Sequence, residues 1–254
     1  MPAPAAKDPF KLAWLHANLR LGQSRDVALA GWLILAVLCG FLAYIARLHE
    51  ITHDVFHEMA LFREYLALGN FPIDDVFAYT PTNHPTVHHE WGTGAILYWA
   101  TVESGLGLMG LSALRLLLIA SLWLLLYRVA RQRGAHPYVF ALTAAITFPV
   151  FWVGFSMLRA QLFTLVFLAA TMWMIEIDRR GRRSWVLAWW ILLVAWLNIH
   201  AGFLVGVGML AFHGMERLAL AWVRSRSLGA AVRETWHLIF LGAAIPLALP
   251  LNPY

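Results

Sequence analysis

The chain has 254 residues, 61% of them hydrophobic and 13% charged, with a mean hydropathy of +0.65 and a net charge of +5. A soluble domain carries about 25% charged residues, so the composition excludes an ordinary soluble enzyme and predicts an all-α, polytopic membrane protein. Cys39 is the single cysteine, which excludes a disulfide framework, and the arginines collect in short segments between apolar runs, as membrane topology and not nucleic-acid binding requires.

Residues 1–26 open with MPAPAA and continue as an amphipathic piece in which Phe10, Leu12, Trp14 and Leu15 oppose Lys7, Lys11, Arg20 and Arg25. This segment is expected on the cytoplasmic membrane surface, with no cleavable signal peptide. The remainder, 27–254, is expected to form the transmembrane domain. Its first span, Val27–Ala46, runs 20 residues without a charge, enough for a ~30 Å hydrocarbon core at ~1.5 Å per residue.

The loop at 47–90 then concentrates the polar chemistry. Between His53 and Trp91 lie five of the eleven histidines, together with Asp54, Asp74, Asp75, Glu58, Glu64 and Glu90. Basic residues before the first span place this loop outside. Within it, Phe56, Met59, Phe62, Tyr65, Leu66 and Leu68 recur at helical spacing until Gly69 and Pro72, which predicts an amphipathic helix on the outer membrane face. Asp54 stands at its start, where a carboxylate also serves as an N-cap.

Trp91–Tyr127 is too long for one span and cramped for two. A partly inserted helix near Trp91–Val102 followed by a crossing near Leu106–Tyr127 keeps Arg128, Arg131 and Arg133 on the cytoplasmic side. This leaves Arg115 near mid-membrane, where it must find a partner. Further spans follow from Tyr138 to about Val153, up to Ile177, over Trp185–Ile199, from Gly202 toward Arg217, and over Leu238–Leu249. The total is about seven or eight apolar helices. Arg159 with Gln161, Asn198 with His200, and Asn252-Pro253-Tyr254 then share the outer side with the His53 loop. His213 and His237 stand alone toward the other side and receive no role, and the paired and single tryptophans Trp189, Trp190 and Trp196 read as packing or lipid-facing residues.

Four separated motifs carry a resemblance. Asp54, Gly69, Pro72, Asp75, Ala78-Tyr79-Thr80 and His89-Glu90-Trp91 form the first; Arg159-Ala160-Gln161-Leu162-Phe163 the second; Trp196 through Phe203 (WLNIHAGF) the third; and Asn252-Pro253-Tyr254 the fourth. Over roughly residues 30–254 the chain resembles the N-terminal half of the bacterial GT-C glycosyltransferases, which take sugars from polyprenyl-phosphate carriers. Ala78, Gly92, Ala160 and Ala201 depart from that pattern, and none removes a charged or hydrogen-bonding group. Members of the group are about twice this long, so a C-terminal portion is expected to be lacking.

The resemblance implies a GT-C-like transmembrane bundle in the bacterial inner membrane, with the N-terminus cytoplasmic and the long first loop periplasmic. It implies inverting transfer of a sugar from a polyprenyl-phosphate donor to a lipid, glycan or protein acceptor. Asp54, Asp75 and Glu90 would be catalytic, and His57, His89, Arg159, Gln161, Asn198 and His200 would contact substrate. A divalent cation, magnesium or manganese, is a candidate cofactor, with Asp54 and Asp75 as candidate ligands. Glycosyl transfer needs a base for the acceptor hydroxyl and positive charge for the departing phosphate, and these residue types supply both. Two alternatives stand beside it. His53, His57, His84, His88 and His89 resemble the histidine boxes of membrane di-iron desaturases and hydroxylases, with i, i+4 imidazoles on one helix face. A non-catalytic membrane subunit is the other.

Overall fold

The computed structural model describes residues 25–46, 51–74, 76–78, 80 and 84–253. The expected surface segment before residue 25, Asp75, Tyr79 and Tyr254 therefore lie outside the described residues. Among those described, all regular structure is helical. The elements are α1 (Arg25–Ala46), α2 (His53–Leu68), α3 (Trp91–Tyr98), a π-helical turn (Trp99–Glu103), α4 (Leu108–Gln132), α5 (Pro137–Ser156), α6 (Ala160–Arg179), α7 (Trp185–Ile199), α8 (Phe203–Ser225), α9 (Leu228–Ala244) and a 3-10 segment (Ile245–Leu251).

Five of these are long and apolar enough to cross a membrane: α1, α4, α6, α8, and α9 together with the 3-10 segment. Two apolar helices are shorter than the expected count of spans assumed, α7 and the Pro137–Thr147 part of α5. At ~1.5 Å per residue, α7 is about 22 Å long, less than a bilayer core. Bulky side chains face outward around the bundle, among them Trp32 (69% exposed), Val150 (78%) and Met109 (72%). Apolar surface of this extent suits a lipid environment.

α6 is the wall shared by two apolar cores. On one side Leu162, Phe163 and Ala169 pack with Phe41, Ile119, Leu122 and Phe155. On the other, Met174 joins Trp189, Leu193, Leu210 and Leu241. Half of its apolar window is buried, the largest share of the five. Polar bonds between the apolar layers involve tryptophans, with Trp189 Nε1 donating to Thr171 Oγ1 (3.2 Å) and Trp190 Nε1 to the Ala244 carbonyl (3.0 Å). These indoles are therefore structural.

Arg115 finds the partner expected of it inside the bundle. It is two turns into α4 and buried, and its Nη2 donates to the Ile45 carbonyl at 2.9 Å. The last carbonyls of a helix lack intrahelical partners and carry its negative dipole end, so a guanidinium there caps α1.

His213 and His237 are not alone. At the end of the bundle carrying the basic segments, Asp178 of α6 is buried and takes His213 of α8 on Oδ2 (Nε2, 2.9 Å). On Oδ1 it takes His237 of α9 (Nε2, 2.7 Å) and Trp185 of α7 (Nε1, 3.2 Å). Four helices each supply one residue to this junction. Beside it Arg133 donates to Glu176 Oε1 through Nε (2.8 Å) and Nη2 (2.5 Å), joining α4 to α6.

Candidate functional site

At the opposite end of the bundle, residues far apart in sequence meet around the start of α2. Thr52 is the N-cap of this helix, in extended backbone, and Gly69 ends it in the left-handed region (φ 73°) with its N–H on the Tyr65 carbonyl. Asp54 therefore does not take the alternative role of N-cap; it lies within the first turn, where its carboxylate is free to point elsewhere. It receives Arg159 from the N-cap position of α6: Nε donates to Oδ2 at 2.8 Å, and Nη2 donates to the same oxygen. Both side chains are about half exposed (54% and 46%). An ion pair this open to solvent contributes only about 0–1 kcal/mol, so the fold does not depend on it.

The apolar spacing of α2 is met differently from the expectation. Its buried residues are Val55 and Leu61, while Phe56, Leu66 and Leu68 remain half exposed. The helix is clamped against α3 through glycine: a Cβ on Gly94 would stand 2.3 Å from the Glu58 carbonyl oxygen. Glu58, one turn after Asp54, is half-buried at this contact. Burial first, then the Glu90 and Asp54 charges, push the Glu58 carboxyl up to about 7. Glu58 is therefore a carboxyl that can hold its proton near neutral pH, one turn along the helix from the ion-paired Asp54. Sequence reading missed Glu58, because its amphipathic pattern placed it among ordinary helix-surface acids; the Gly-x-Gly at 92–94 was the available signal for close approach.

Glu90 is the N-cap residue of α3, only 20% exposed at its side chain, with Oε1 3.4 Å from His200 Nε2 and 3.6 Å from His89 Nε2. The His200 tautomer follows from its other nitrogen. Nδ1 receives the Gly202 amide at 2.9 Å, and an amide only donates, so the proton sits on Nε2, facing Glu90. Thr164 Oγ1, 2.9 Å from the same Nδ1, then donates to it while accepting Trp196 Nε1 at 2.9 Å. Burial lowers the His200 pKa, with His89 adding to it and Glu90 opposing, so this imidazole is neutral at pH 7. Gly202 must be glycine, since a Cβ there would lie 2.6 Å from Thr164 Oγ1. Ala201 is exposed and its methyl is accommodated.

Asn198 is committed within the protein. Its Oδ1 accepts Trp91 Nε1 at 2.9 Å, and its Nδ2 donates to the Val194 (2.7 Å) and Leu251 (3.3 Å) carbonyls. Thr93 Oγ1 donates to the Ile199 carbonyl (2.8 Å) and Asn252 Nδ2 to that of Leu197 (2.9 Å). A Cβ on Gly92 would meet the Asn198 carbonyl oxygen at 2.5 Å. The third and fourth motifs therefore tie α3, α7 and the 3-10 segment into the frame that holds Glu90 and His200.

His89 and Gln161 are exposed at this end, and exposed His57 packs edge-on against Phe77 (5.7 Å between ring centroids). The five loop histidines do not form one cluster: His84 pairs with Asp74 (2.9 Å), His88 is buried, and His53 is exposed. Among the described residues no three His, Cys, Asp or Glu side chains are placed to hold a metal ion. The di-iron boxes thus have no common centre there, and of the two candidate cation ligands only Asp54 is described.

Comparison with known protein families, with curated proteins and with solved structures found no match.

Proposed function

We propose that this chain is a GT-C-type glycosyltransferase component of the bacterial inner membrane, moving a sugar from a polyprenyl-phosphate donor to an acceptor on the periplasmic side. The observation that supports it most is the Asp54–Arg159 pair, which joins two motifs 105 residues apart. A base for the acceptor and a cation for the leaving phosphate are the two groups the chemistry needs, and here they stand in contact and in water.

In this reading the pair is a resting state. A donor phosphate takes over the Arg159 guanidinium, a bidentate partner, and releases the Asp54 carboxylate. The acceptor hydroxyl gives its proton to Asp54 and its oxygen bonds to the anomeric carbon from the opposite face. The bond from that carbon to the phosphate oxygen breaks, and polyprenyl phosphate leaves with the electron pair, its charge held by Arg159. Glu90, oriented by neutral His200, positions the acceptor. An apolar cavity of about 290 Å³ runs between α1, α4 and α5 from Val129 and Phe140 near the basic end to Phe155, four residues before Arg159, and suits isoprene units. In this reading the basic segments at the other end face the cytoplasm, as the excess of Lys and Arg in inner loops favours.

The test uses the purified chain in proteoliposomes with a panel of labelled polyprenyl-phosphate sugars. Saturable binding is expected, weakened at least roughly tenfold by Arg159→Ala, the size of a lost charge-assisted bond. Asp54→Asn should keep binding and lose transfer. Wild-type protein that binds no polyprenyl-phosphate sugar, or Asp54→Asn protein with unchanged turnover, would sink the proposal.

A further inference from the structure

A second cavity, of about 420 Å³, opens at the basic end of the bundle, away from Asp54 and Arg159. Its rim is charged: Arg133 after α4, Arg179 on α6, and His213 and Glu216 on α8. Its floor is apolar, formed by Met172 and Ile175 of α6 and Met209 and Phe212 of α8. On each helix these positions are spaced three, four and seven apart and so share one face. The seven residues from Met172 to Arg179, and from Met209 to Glu216, carry the surface about 10 Å from apolar to charged. That polarity runs in the direction of a phospholipid, with its headgroup at the end of the helices and its chains toward their middle.

The rim supplies both donors and acceptors. Arg133 turns Nε and Nη2 to Glu176, and Arg179 turns Nη2 to Glu216 Oε2 at 2.8 Å. A guanidinium has five N–H donors, so these pairs orient the arginines without exhausting them, and both remain accessible (54% and 37%). His213 is fixed by its Nε2 on Asp178; a carboxylate accepts, so Nε2 carries the proton. Its Nδ1 is buried and lies 3.7 Å from Glu216 Oε2. Phe212, 72% exposed, continues the floor outward to where lipid would lie.

We propose that this cleft binds an anionic glycerophospholipid of the phosphatidylglycerol type. The phosphodiester lies on Arg133 and Arg179, a headgroup hydroxyl donates to Glu216, and the first acyl carbons cover Met172, Ile175, Met209 and Phe212. Arginines oriented by Glu176 and Glu216 at the edge of an apolar floor offer the donors by which pockets between membrane helices take lipid phosphates. The inference rests on the membrane reading of the helices and is independent of the glycosyl-transfer reading.

The experiment delipidates the full chain in detergent and returns phosphatidylglycerol, phosphatidylcholine or the soluble glycerophosphoglycerol headgroup. Retention is read by native mass spectrometry and stability by thermal unfolding. Phosphatidylglycerol should be retained roughly tenfold over phosphatidylcholine and raise the unfolding temperature, while the soluble headgroup does neither. Arg179→Gln should remove most of that preference. Met209→Trp, which fills the floor and leaves every charge in place, should remove it as well. Equal retention of the two lipids, an equal shift from the soluble headgroup, or a preference that survives both variants would overturn the proposal.

Discussion

Glu58 and Asp54 lie one turn apart on α2 and face different fates. Asp54 is half exposed and neutralised by Arg159, whereas burial and two neighbouring carboxylates raise Glu58 from 4.5 to about 7. A carboxyl whose pKa is higher in the folded state contributes stability that is fully present below pH 4.5 and lost as pH rises through 7. Glu58→Gln, which keeps the shape and abolishes the charge, should therefore be about as stable as wild type at pH 4.5. At pH 8 it should be more stable by about 1–3 kcal/mol. Thermal unfolding of both proteins across that range checks it; a constant difference between the curves would mean that Glu58 does not titrate as argued. His200 works in the other direction. Its pKa lies below 6.5 in the folded state, so its contribution is present above 6.5 and is lost on further acidification. The residue types at this end were legible in the sequence, since carboxylates, histidines and one arginine stood out against apolar spans. What that reading could not supply was the partnering. Asp54 with Arg159 and Glu90 with His200 are contacts across more than 100 residues, and no spacing rule reaches that far.

The helices themselves followed from apolar runs and their punctuation, and α2 ends at Gly69 as its sequence required. The segment Trp91–Tyr127 was harder, because its glycines serve two purposes. Gly105 and Gly107 take positive φ and turn the chain from the π-helical turn into α4. Gly92, Gly94 and Gly110 instead admit a neighbouring backbone, with would-be Cβ contacts of 2.5, 2.3 and 1.8 Å. Periodicity cannot distinguish a turning glycine from a contact glycine. Gly94→Ala should separate α3 from α2, destabilising the fold by about 2–3 kcal/mol, and should lower the Glu58 pKa by reopening it to water. Gly31→Ala in α1 meets nothing within 4 Å, so the relief of backbone freedom leaves it within about 1 kcal/mol of wild type, on the stable side. Unfolding midpoints of the two variants measured side by side decide this. Equal effects would mean that the α2–α3 contact is looser than the geometry gives.

At the scale of the whole molecule, the junction at Asp178 gathers one side chain from each of α6, α7, α8 and α9, and the sequence concealed it for that reason. The partners sit on separate helices among other polar residues of the same end, such as Glu176, Glu216 and Glu234, with no motif at any spacing. The one signal was an acidic residue that cannot stay buried beside apolar neighbours without a partner. His213 and His237 both donate through Nε2, and neither Nδ1 has a hydrogen-bond partner. Moving the proton to Nδ1 does not rescue His237, where that nitrogen is also without a partner, and for His213, whose Nδ1 faces Glu216 at 3.7 Å, it leaves a bare Nε2 in the same junction. Asp178→Leu should leave two orphaned N–H groups at about 1–3 kcal/mol each, with Trp185 Nε1 losing its acceptor too. Replacing both imidazoles as well, in Asp178→Leu/His213→Phe/His237→Phe, removes donors and acceptor together and should recover most of the loss, as apolar replacement of buried polar sets generally does. Chemical unfolding in detergent distinguishes the cases. If the triple variant is less stable than Asp178→Leu, packing around the imidazoles outweighs their hydrogen bonds, and the bundle is joined at this end by shape and not by polarity.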